Sequence, residues 1–216
     1  MEKLVGATLW EHHVLSPLST NCFVFARSDE AVILDPGGPE AVSVAKQLKA
    51  KGFRIAHILI THGHFDHIGW AGDVKKVFPN AKTYVNIEEK EALPEFNTWP
   101  QKFGILSKQI ADPDIWFEPD ETLDIAGIQI KAIHTPGHTP GSTVYFIEDS
   151  RLAFTGDVLF NYSIGRTDFP FSDHMEMEKS LEKLIKILPE DVWFWPGHGP
   201  GSSIGFEKKH NPFLNP

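Results

Sequence analysis

The sequence predicts an α/β protein built as a sandwich of sheets with helices on the outside. Short apolar runs rich in β-branched residues alternate with stretches whose apolar residues recur at helical spacing. Several of these runs stop at a polar, glycine-rich loop, as strands do where they leave the edge of a sheet. The 216 residues are expected to form one domain over residues 1–216.

The first half of the chain alternates between strands and helices. Its predicted elements, in chain order, are strands Cys22–Ala26 and Ala31–Leu34, helix Glu40–Lys51, strand Ile55–Thr61, helix Gly69–Val77 and strand Thr83–Val85. The first helix has an apolar face formed by Val44, Ala45 and Leu48, and Gly52 ends it.

The second half contains a hairpin, two further strands, a long helix and a last strand. These elements are strands Glu121–Ile125, Ile128–Ile133, Ser142–Ile147 and Leu152–Thr155, a helix that ends at Leu188, and strand Val192–Trp195. The hairpin turns at Ala126 and Gly127. Either Ser172 or Asp173 caps the long helix, whose leucine and isoleucine residues form an amphipathic stripe.

Residues 86–121 lie between these halves and are rich in aromatic side chains. Prolines interrupt the segment after a helix-like start, so no regular element is assigned beyond that start. We expect Phe96, Trp99 and Phe103 either to line a substrate pocket or to form a small satellite core beneath a long loop.

Composition and charge disfavour several classes of function. The formal net charge of −9 is unfavourable for binding phosphate backbones, so no nucleic-acid partner is expected. No stretch approaches the ~18 consecutive apolar residues of a membrane span, and the first residues carry no signal-peptide pattern. We therefore expect no membrane partner and a cytoplasmic location.

Cys22 is the single cysteine, which excludes an intramolecular disulfide and favours a buried, inert thiol.

Side chains that commonly bind metals follow four of the predicted strands. The stretch THGHFDHIG, residues 61–69, places three histidines and an aspartate within six positions. The other loops contribute His138, with His134 nearby, Asp157 and His198. Because strand ends at one edge of a layered fold converge, these loops are expected to form one site.

The spacing of these donors predicts two metal ions. Residues two apart in an extended stretch point the same way, so His62 and His64 are expected to hold one ion together. Asp66 and His67 are adjacent and diverge, which indicates a second ion. Five candidate histidines and two aspartates exceed one zinc site and fit two ions ~3.5–4 Å apart that share a carboxylate. These donors favour Zn, with Fe or Mn as alternatives, over Ca or Mg.

Six stretches of the sequence resemble the metallo-β-lactamase fold superfamily, and within it the glyoxalase II-like (hydroxyacylglutathione hydrolase) branch. In chain order they are LDPGG (34–38), THGHFDHIG (61–69), TPGHTPGS (135–142), FTGDVLF (154–160), IGRTDFP (164–170) and WPGHGPGSSIG (195–205). They occur in the order typical of the family and cover nearly all of the chain.

The resemblance implies an αββα sandwich, with two mixed sheets flanked by helices and the metals at one edge. It also implies two ligand sets, one of His62, His64 and His138 and the other of Asp66, His67 and His198. Asp157 would bridge the two ions. Asp35 would support the site from behind its ligands.

The activity implied is the hydrolysis of thioesters of the S-lactoylglutathione type by a hydroxide that bridges the metals. Asp66 is expected to orient this hydroxide and take up its proton as well as binding metal. Two divalent ions, two carboxylates and a hydroxide leave about one positive charge, which favours an anionic small-molecule substrate. Arg166 is expected either to pair with Asp168 or to reach an anionic group of that substrate.

Several alternatives stay open. A mononuclear-iron persulfide dioxygenase shares the fold and carries a stretch like GRTDF (165–169), but the context PGHGP (196–200) is typical of the hydrolases. A non-enzymatic metal-binding or sensor protein is disfavoured because no ligand position is degenerate. Antibiotic hydrolysis is disfavoured because many β-lactamases of this fold carry cysteine where Asp157 lies. One clear helix follows Asp157, whereas glyoxalase II holds glutathione with a C-terminal helical region, so thioester hydrolysis is better supported than glutathione specificity.

Overall fold

Two six-stranded β-sheets form the centre of the protein in a computed structural model that describes residues 3–102 and 110–214. The first sheet contains, in spatial order, β1 (Leu9–Leu15), β2 (Thr20–Ala26), β3 (Glu30–Leu34), β4 (Arg54–Leu59), β5 (Lys82–Asn86) and β6 (Ile115–Phe117). Strands β1 to β3 are antiparallel, and strands β3 to β6 run parallel.

The second sheet is also mixed. The remaining strands are β7 (Thr122–Ile125), β8 (Ile128–His134), β9 (Thr143–Ile147), β10 (Leu152–Gly156), β11 (Leu159–Phe160), β12 (Ser163–Ile164), β13 (Trp193–Pro196) and β14 (Ser202–Ser203). The spatial order in the sheet is β14-β13-β10-β9-β8-β7, with β10 and β13 parallel and the other pairs antiparallel. Strands β11 and β12 form a separate two-stranded ribbon.

Helices connect these strands. The α-helices are α1 (Glu40–Ala50), α2 (Phe65–Ile68), α3 (Ala71–Val77), α4 (Leu93–Phe96), α5 (Trp99–Lys102), α6 (His174–Ile187) and α7 (Ile204–His210). Two 3₁₀ turns cover Ile87–Glu89 and Glu148–Ser150. Within residues 3–102 and 110–214, no helix has both the length and the apolar character needed to cross a bilayer.

Three apolar layers hold the elements together. Alternate residues of a strand face opposite sides of its sheet, so Phe23 and Phe25 pack against the second sheet, while Cys22 and Val24 pack in the layer that contains α1 and α3. Helix α6 covers the other face of the second sheet through buried residues such as Met177. The order helix, sheet, sheet, helix confirms the expected αββα sandwich with two mixed sheets. Burial raises the pKa of the Cys22 thiol well above its usual range, as expected of an inert cysteine.

The observed elements differ from the predicted ones at several points, and the structure decides between the two candidate caps of α6. Strands β1 and β6, which lie at the two edges of the first sheet, are absent from the predicted set. The predicted helix Gly69–Val77 is wrong at its start, because α3 begins at Ala71 and is preceded by the short helix α2. The cap of α6 is Asp173, whose carboxylate accepts the N–H of Glu176 at 3.0 Å. The Ser172 hydroxyl instead donates to the carbonyl of His138 at 2.7 Å.

Candidate metal centre

Loops at one edge of the sandwich bring together all seven predicted metal ligands. The segment after β4, which includes α2, carries four of them, and the loops after β8, β10 and β13 carry His138, Asp157 and His198. The seven side chains fall into overlapping groups of three, and the donor atoms of each group lie within 4.8 Å of one another. The expected convergence of these strand ends is therefore present.

The first group consists of His62, His64 and His138. Nδ1 of His64 lies 3.1 Å from Nε2 of His62 and 3.0 Å from Nε2 of His138. Donors around a tetrahedral zinc ion are about 3.4 Å apart, so the three nitrogens are close to the spacing that one ion requires. His134, the alternative to His138, instead places its Nε2 2.8 Å from the carbonyl oxygen of Pro140.

The second group consists of Asp66, His67 and His198. Oδ2 of Asp66 lies 3.2 Å from Nε2 of His198 and 3.6 Å from Nε2 of His67. The backbone is extended at His64, and α2 begins at the next residue. The change from extended to helical backbone separates this group from the first one, although both come from the same short stretch of sequence.

Asp157 lies between the two groups. Its Oδ2 is 3.5 Å from Nε2 of His138 and 3.5 Å from Nε2 of His198, and its Oδ1 is 3.5 Å from Nε2 of His67. One carboxylate thus reaches donors of both groups, which is the position that a bridging ligand needs. A Cβ on Gly197 would lie 2.1 Å from Oδ1 of Asp157, so only glycine fits immediately before His198.

Buried atoms without partners indicate that the site suits a cation. Among the described residues, Nε2 of His67 and Oδ1 of Asp157 are buried and have no hydrogen-bond partner. An unpaired buried polar atom costs about 1–3 kcal/mol, and buried carboxylates need a compensating positive charge. Divalent metal ions held by imidazole and carboxylate would meet both needs, so this donor set fits the predicted metals.

Electrostatics distinguish the two groups. Burial and then the neighbouring imidazoles lower the pKa of His62 and of His64, the latter to about 3, so both rings are neutral and have a free lone pair. Burial opposes ionisation of Asp66, but the charge of His67 and a hydrogen bond from His198 outweigh it and lower the pKa of Asp66 to about 2. Burial also opposes protonation of His198, but the neighbouring carboxylates raise its pKa to about 11. The carboxylate-containing group therefore attracts positive charge, and the three-histidine group offers neutral donors.

Asp35 holds His67 from behind. Its buried carboxylate accepts the backbone N–H of Thr61 at 2.8 Å, the hydroxyl of Thr61 at 2.7 Å and Nδ1–H of His67 at 2.9 Å. A proton on Nδ1 leaves Nε2 of the neutral ring as the donor that faces the site. The carboxylate of Asp35 therefore orients the His67 ring without facing the site itself, as a residue that supports a metal ligand does.

No sequence pattern predicts two further contacts of the site. The Thr20 hydroxyl donates to Oδ2 of Asp66 at 3.1 Å. The backbone carbonyl of Arg166 lies 2.8 Å from Nδ1 of His138 and accepts its proton, which directs Nε2 of His138 toward the other donors. Both contacts join residues that are distant in sequence, so the fold alone brings them together.

A cleft of about 240 Å³ opens beside the metal-binding side chains. Its apolar wall includes Leu18, Trp99, Phe160, Ile164 and Phe169. Arg166 also lines the cleft, with its guanidinium carbon 4.2 Å from the centre of the Phe169 ring. Its Nε and Nη2 donate to the Asp168 carboxylate at 2.9 and 2.8 Å. The expected ion pair with Asp168 is therefore present, and contact of Arg166 with an anionic group of the substrate stays a prediction.

The aromatic segment contributes to both the core and the cleft, and Trp99 belongs to both. Phe96 is fully buried in the core and packs edge-on against the His64 ring, with ring centres 4.7 Å apart. Trp99 lines the cleft and lies 4.8 Å from the same ring. Phe103 lies outside the described residues.

Known proteins resemble the chain along nearly its whole length. The sequence profile of the Metallo-beta-lactamase superfamily matches residues 15–198. Hydroxyacylglutathione hydrolase GloC of Haemophilus influenzae is 38% identical over 200 residues, which cover 90% of this chain and 92% of that protein. The probable metallo-hydrolase YqgX of Bacillus subtilis is 34% identical, over 95% of this chain and 97% of that protein.

Solved structures agree with these matches. The crystal structure of BLEG-1 B3 metallo-beta-lactamase has a TM-score of 0.87 and 36% identity, over 96% of this chain and 100% of that one. The crystal structure of TTHA1623 in a di-iron-bound form has a TM-score of 0.83 and 29% identity, over 94% of this chain and 100% of that one. Since the family profile spans most of the sequence and the relatives match nearly all of it, the chain belongs to the Metallo-beta-lactamase superfamily.

Proposed function

We propose that the protein is a binuclear metal-dependent hydrolase of thioesters of the hydroxyacylglutathione type. The observation that carries this proposal is a pair of three-donor groups that share contacts with Asp157 beside an apolar cleft. Membership of the superfamily and the likeness to a probable metallo-hydrolase support hydrolysis in general. The 38% identity to hydroxyacylglutathione hydrolase GloC supports the class of substrate.

The proposed ligands follow the two groups. They are His62, His64 and His138 for the first ion, Asp66, His67 and His198 for the second, and Asp157 for both. Zinc suits a site rich in neutral imidazole. Iron and manganese are the alternatives, and the di-iron form of TTHA1623 supports iron among them.

The residues of the chain would orient the reactants and move a proton. Two divalent ions bound here would lower the pKa of a water molecule to roughly 7 and stabilise a developing oxyanion. Asp66 is a carboxylate at neutral pH, so it can hold the attacking water and take up its proton. The hydrogen bond from Thr20 fixes the orientation of that carboxylate. The cleft would pack against the thioester, and Arg166 would face an anionic group of the substrate.

Metal analysis paired with an assay of S-lactoylglutathione hydrolysis tests the proposal on a single preparation. We expect two metal ions per chain and a hydrolytic activity that Asp66→Ala abolishes. The matched control is Asp149→Ala, which removes an exposed carboxylate paired with Arg27 and should retain full activity. Full activity in Asp66→Ala would refute the proton-transfer role. A single iron per chain with oxygen-dependent persulfide turnover would replace the hydrolase with the dioxygenase alternative.

A second candidate function is β-lactam hydrolysis. It is favoured by the 36% identity and the TM-score of 0.87 to BLEG-1 B3 metallo-beta-lactamase. The same donors would serve either reaction, because both begin with attack of water on a carbonyl carbon and form a tetrahedral oxyanion. A chromogenic cephalosporin assayed beside S-lactoylglutathione separates the two functions. We expect kcat/KM to be at least a hundredfold higher for the thioester, and the opposite ranking would favour the lactamase.

A further inference from the structure

We propose that Glu89 is a positioning residue for the first ion, and that it holds the two loops that carry the three histidine ligands of this ion at a fixed separation. The inference rests on the proposed first ion site, formed by His62, His64 and His138, and is independent of the substrate. No motif of the sequence singles out Glu89, which ends the 3₁₀ turn after β5.

The first loop that Glu89 contacts is the one that carries His138. Oε1 of Glu89 accepts the hydroxyl of Thr139, the residue directly after His138, and the N–H of Gly141 at 3.2 Å. A Cβ on Gly141 would lie 2.5 Å from Cγ of Glu89. The loop is therefore both hydrogen-bonded to Glu89 and pressed against it.

The second loop that Glu89 contacts is the histidine loop after β4. A Cβ on Gly63, the residue between His62 and His64, would lie 3.0 Å from Oε2 of Glu89. The same Cβ would lie 3.0 Å from Cδ1 of Leu93 and 3.0 Å from Cδ2 of Phe96. Glu89 has no exposed surface, and its Oε2 has no hydrogen-bond partner among the described residues. One buried carboxyl group is thus in contact with both ligand loops.

Other contacts keep these loops attached when Glu89 is replaced. The Thr143 N–H donates to the carbonyl of Thr61 at 2.9 Å, and the side-chain amide of Asn86 donates to the Thr143 hydroxyl at 3.1 Å. Loss of Glu89 should therefore leave the fold in place and free the stretch from Thr139 to Gly141 to shift. Ion binding depends on tenths of an ångström between donors, and loss of a supporting contact commonly lowers metal affinity 10- to 100-fold.

Zn²⁺ affinity, measured by competition with a chromogenic chelator, tests the proposal without any substrate. In a His198→Ala background the measured Zn²⁺ affinity reports on the first site, and in a His138→Ala background it reports on the second site. We expect Glu89→Ala to weaken the first site by 10- to 100-fold and the second by less than threefold. Glu89→Gln should restore the first site to within threefold of the parent, because the amide oxygen can still accept from Thr139 and Gly141.

The matched control is Glu207→Ala, which removes another fully buried glutamate. Its carboxylate accepts hydrogen bonds from residues outside the two histidine loops, namely Asn161, Tyr162, Ser202 and Asn211. The substitution should lower stability without weakening the first site. An equal effect of Glu89→Ala on both sites, no effect on either, or an equal loss from Glu207→Ala would overturn the proposal. If Glu89→Ala does not fold, Thr139→Val and Thr139→Ser decide instead. Weaker first-site binding in the valine variant alone supports the proposal, and equal binding in the two overturns it.

Discussion

Replacing Asp35 with asparagine tests how the second group of ligands is held. Asp35 has a φ of +50°, a left-handed conformation that asparagine adopts readily and that alanine would strain. The substitution therefore changes the chemistry of the side chain and leaves the backbone alone. The carboxylate accepts hydrogen bonds at both oxygens, from Thr61 at one and from Thr61 and His67 at the other. An amide has a single accepting oxygen and cannot serve both positions.

The two possible orientations of the new amide set the magnitude. If its nitrogen faces the backbone of Thr61, a buried N–H loses its acceptor at a cost of about 1–3 kcal/mol. If its nitrogen faces His67, the ring accepts at Nδ1 and carries its proton on Nε2, the atom proposed to bind the ion. We expect the second orientation in the metal-free protein, because the Thr61 hydroxyl that loses its acceptor there can rotate toward Nδ1 of His62 at 3.1 Å, whereas the backbone N–H of Thr61 cannot turn to another acceptor. Metal binding must reverse it, and about 1–3 kcal/mol corresponds to about a 5- to 150-fold loss of affinity.

Zn²⁺ competition with a chelator measures this loss in a His138→Ala background, where the ion reports on the second site. Asp149→Asn is the control for removing a carboxylate charge, because Asp149 is exposed and pairs with Arg27. It should leave the affinity within twofold of the parent. The reasoning is refuted if Asp35→Asn binds Zn²⁺ as tightly as the parent, because Nε2 of His67 would then be free whichever way the amide points.

Three further predictions concern the substrate, the metals and pH. Arg166→Ala should raise KM for an anionic thioester more than for a neutral one of similar size, and equal changes in steady-state assays would leave Arg166 with only its ion pair to Asp168. Removal of the metals by a chelator should abolish hydrolysis and lower the melting temperature, because the buried carboxylates lose their counter-charge. Added Zn²⁺ should restore both the activity and the melting temperature. Activity that survives complete metal removal contradicts the proposed metal site. Burial raises the pKa of Glu89 from 4.5 to about 7, so ionising this carboxyl group opposes folding. The free energy of unfolding of the metal-free protein, taken relative to that of Glu89→Gln, should therefore be highest below pH 4.5 and fall by about 3 kcal/mol as the pH rises through 7. Urea unfolding of both proteins at pH 4.5 and 8 measures this relative free energy. A value that does not change with pH contradicts the prediction.

Local sequence patterns predict the elements whose own residues define them. Helix α6 is an example, because its Asp173 cap and its apolar stripe lie within one continuous segment. Strands β1 and β6 differ, because their neighbours define them. β1 pairs with β2 along its whole length, and the three residues of β6 pair with Tyr84–Asn86 of β5. A polar or very short edge strand therefore carries little signal of its own.

The candidate ligands are predictable because each belongs to a residue type that binds metals and follows a strand. The structure brings all seven together in the expected groups, while their assignment to particular ions stays a prediction. The contacts that hold the donors in place are not predictable from local patterns. Thr20 and Asp66 are 46 positions apart, and Glu89 and Thr139 are 50 positions apart. Such contacts exist only once the two sheets are packed.

The aromatic segment shows why a pocket and a core are not exclusive alternatives. The His64 ring lies against Phe96 and Trp99, with ring centres at 4.7 and 4.8 Å, and these two rings contact each other at 5.1 Å. Phe96 and Trp99 both belong to the core, and Trp99 also lines the cleft, so at this point the wall of the cleft is the outer layer of the core. A substitution that reshapes the cleft at Trp99 also changes the packing that orients His64. The shape of the cleft and the position of the His64 ring are therefore coupled through shared contacts, and neither is set by the identity of one residue.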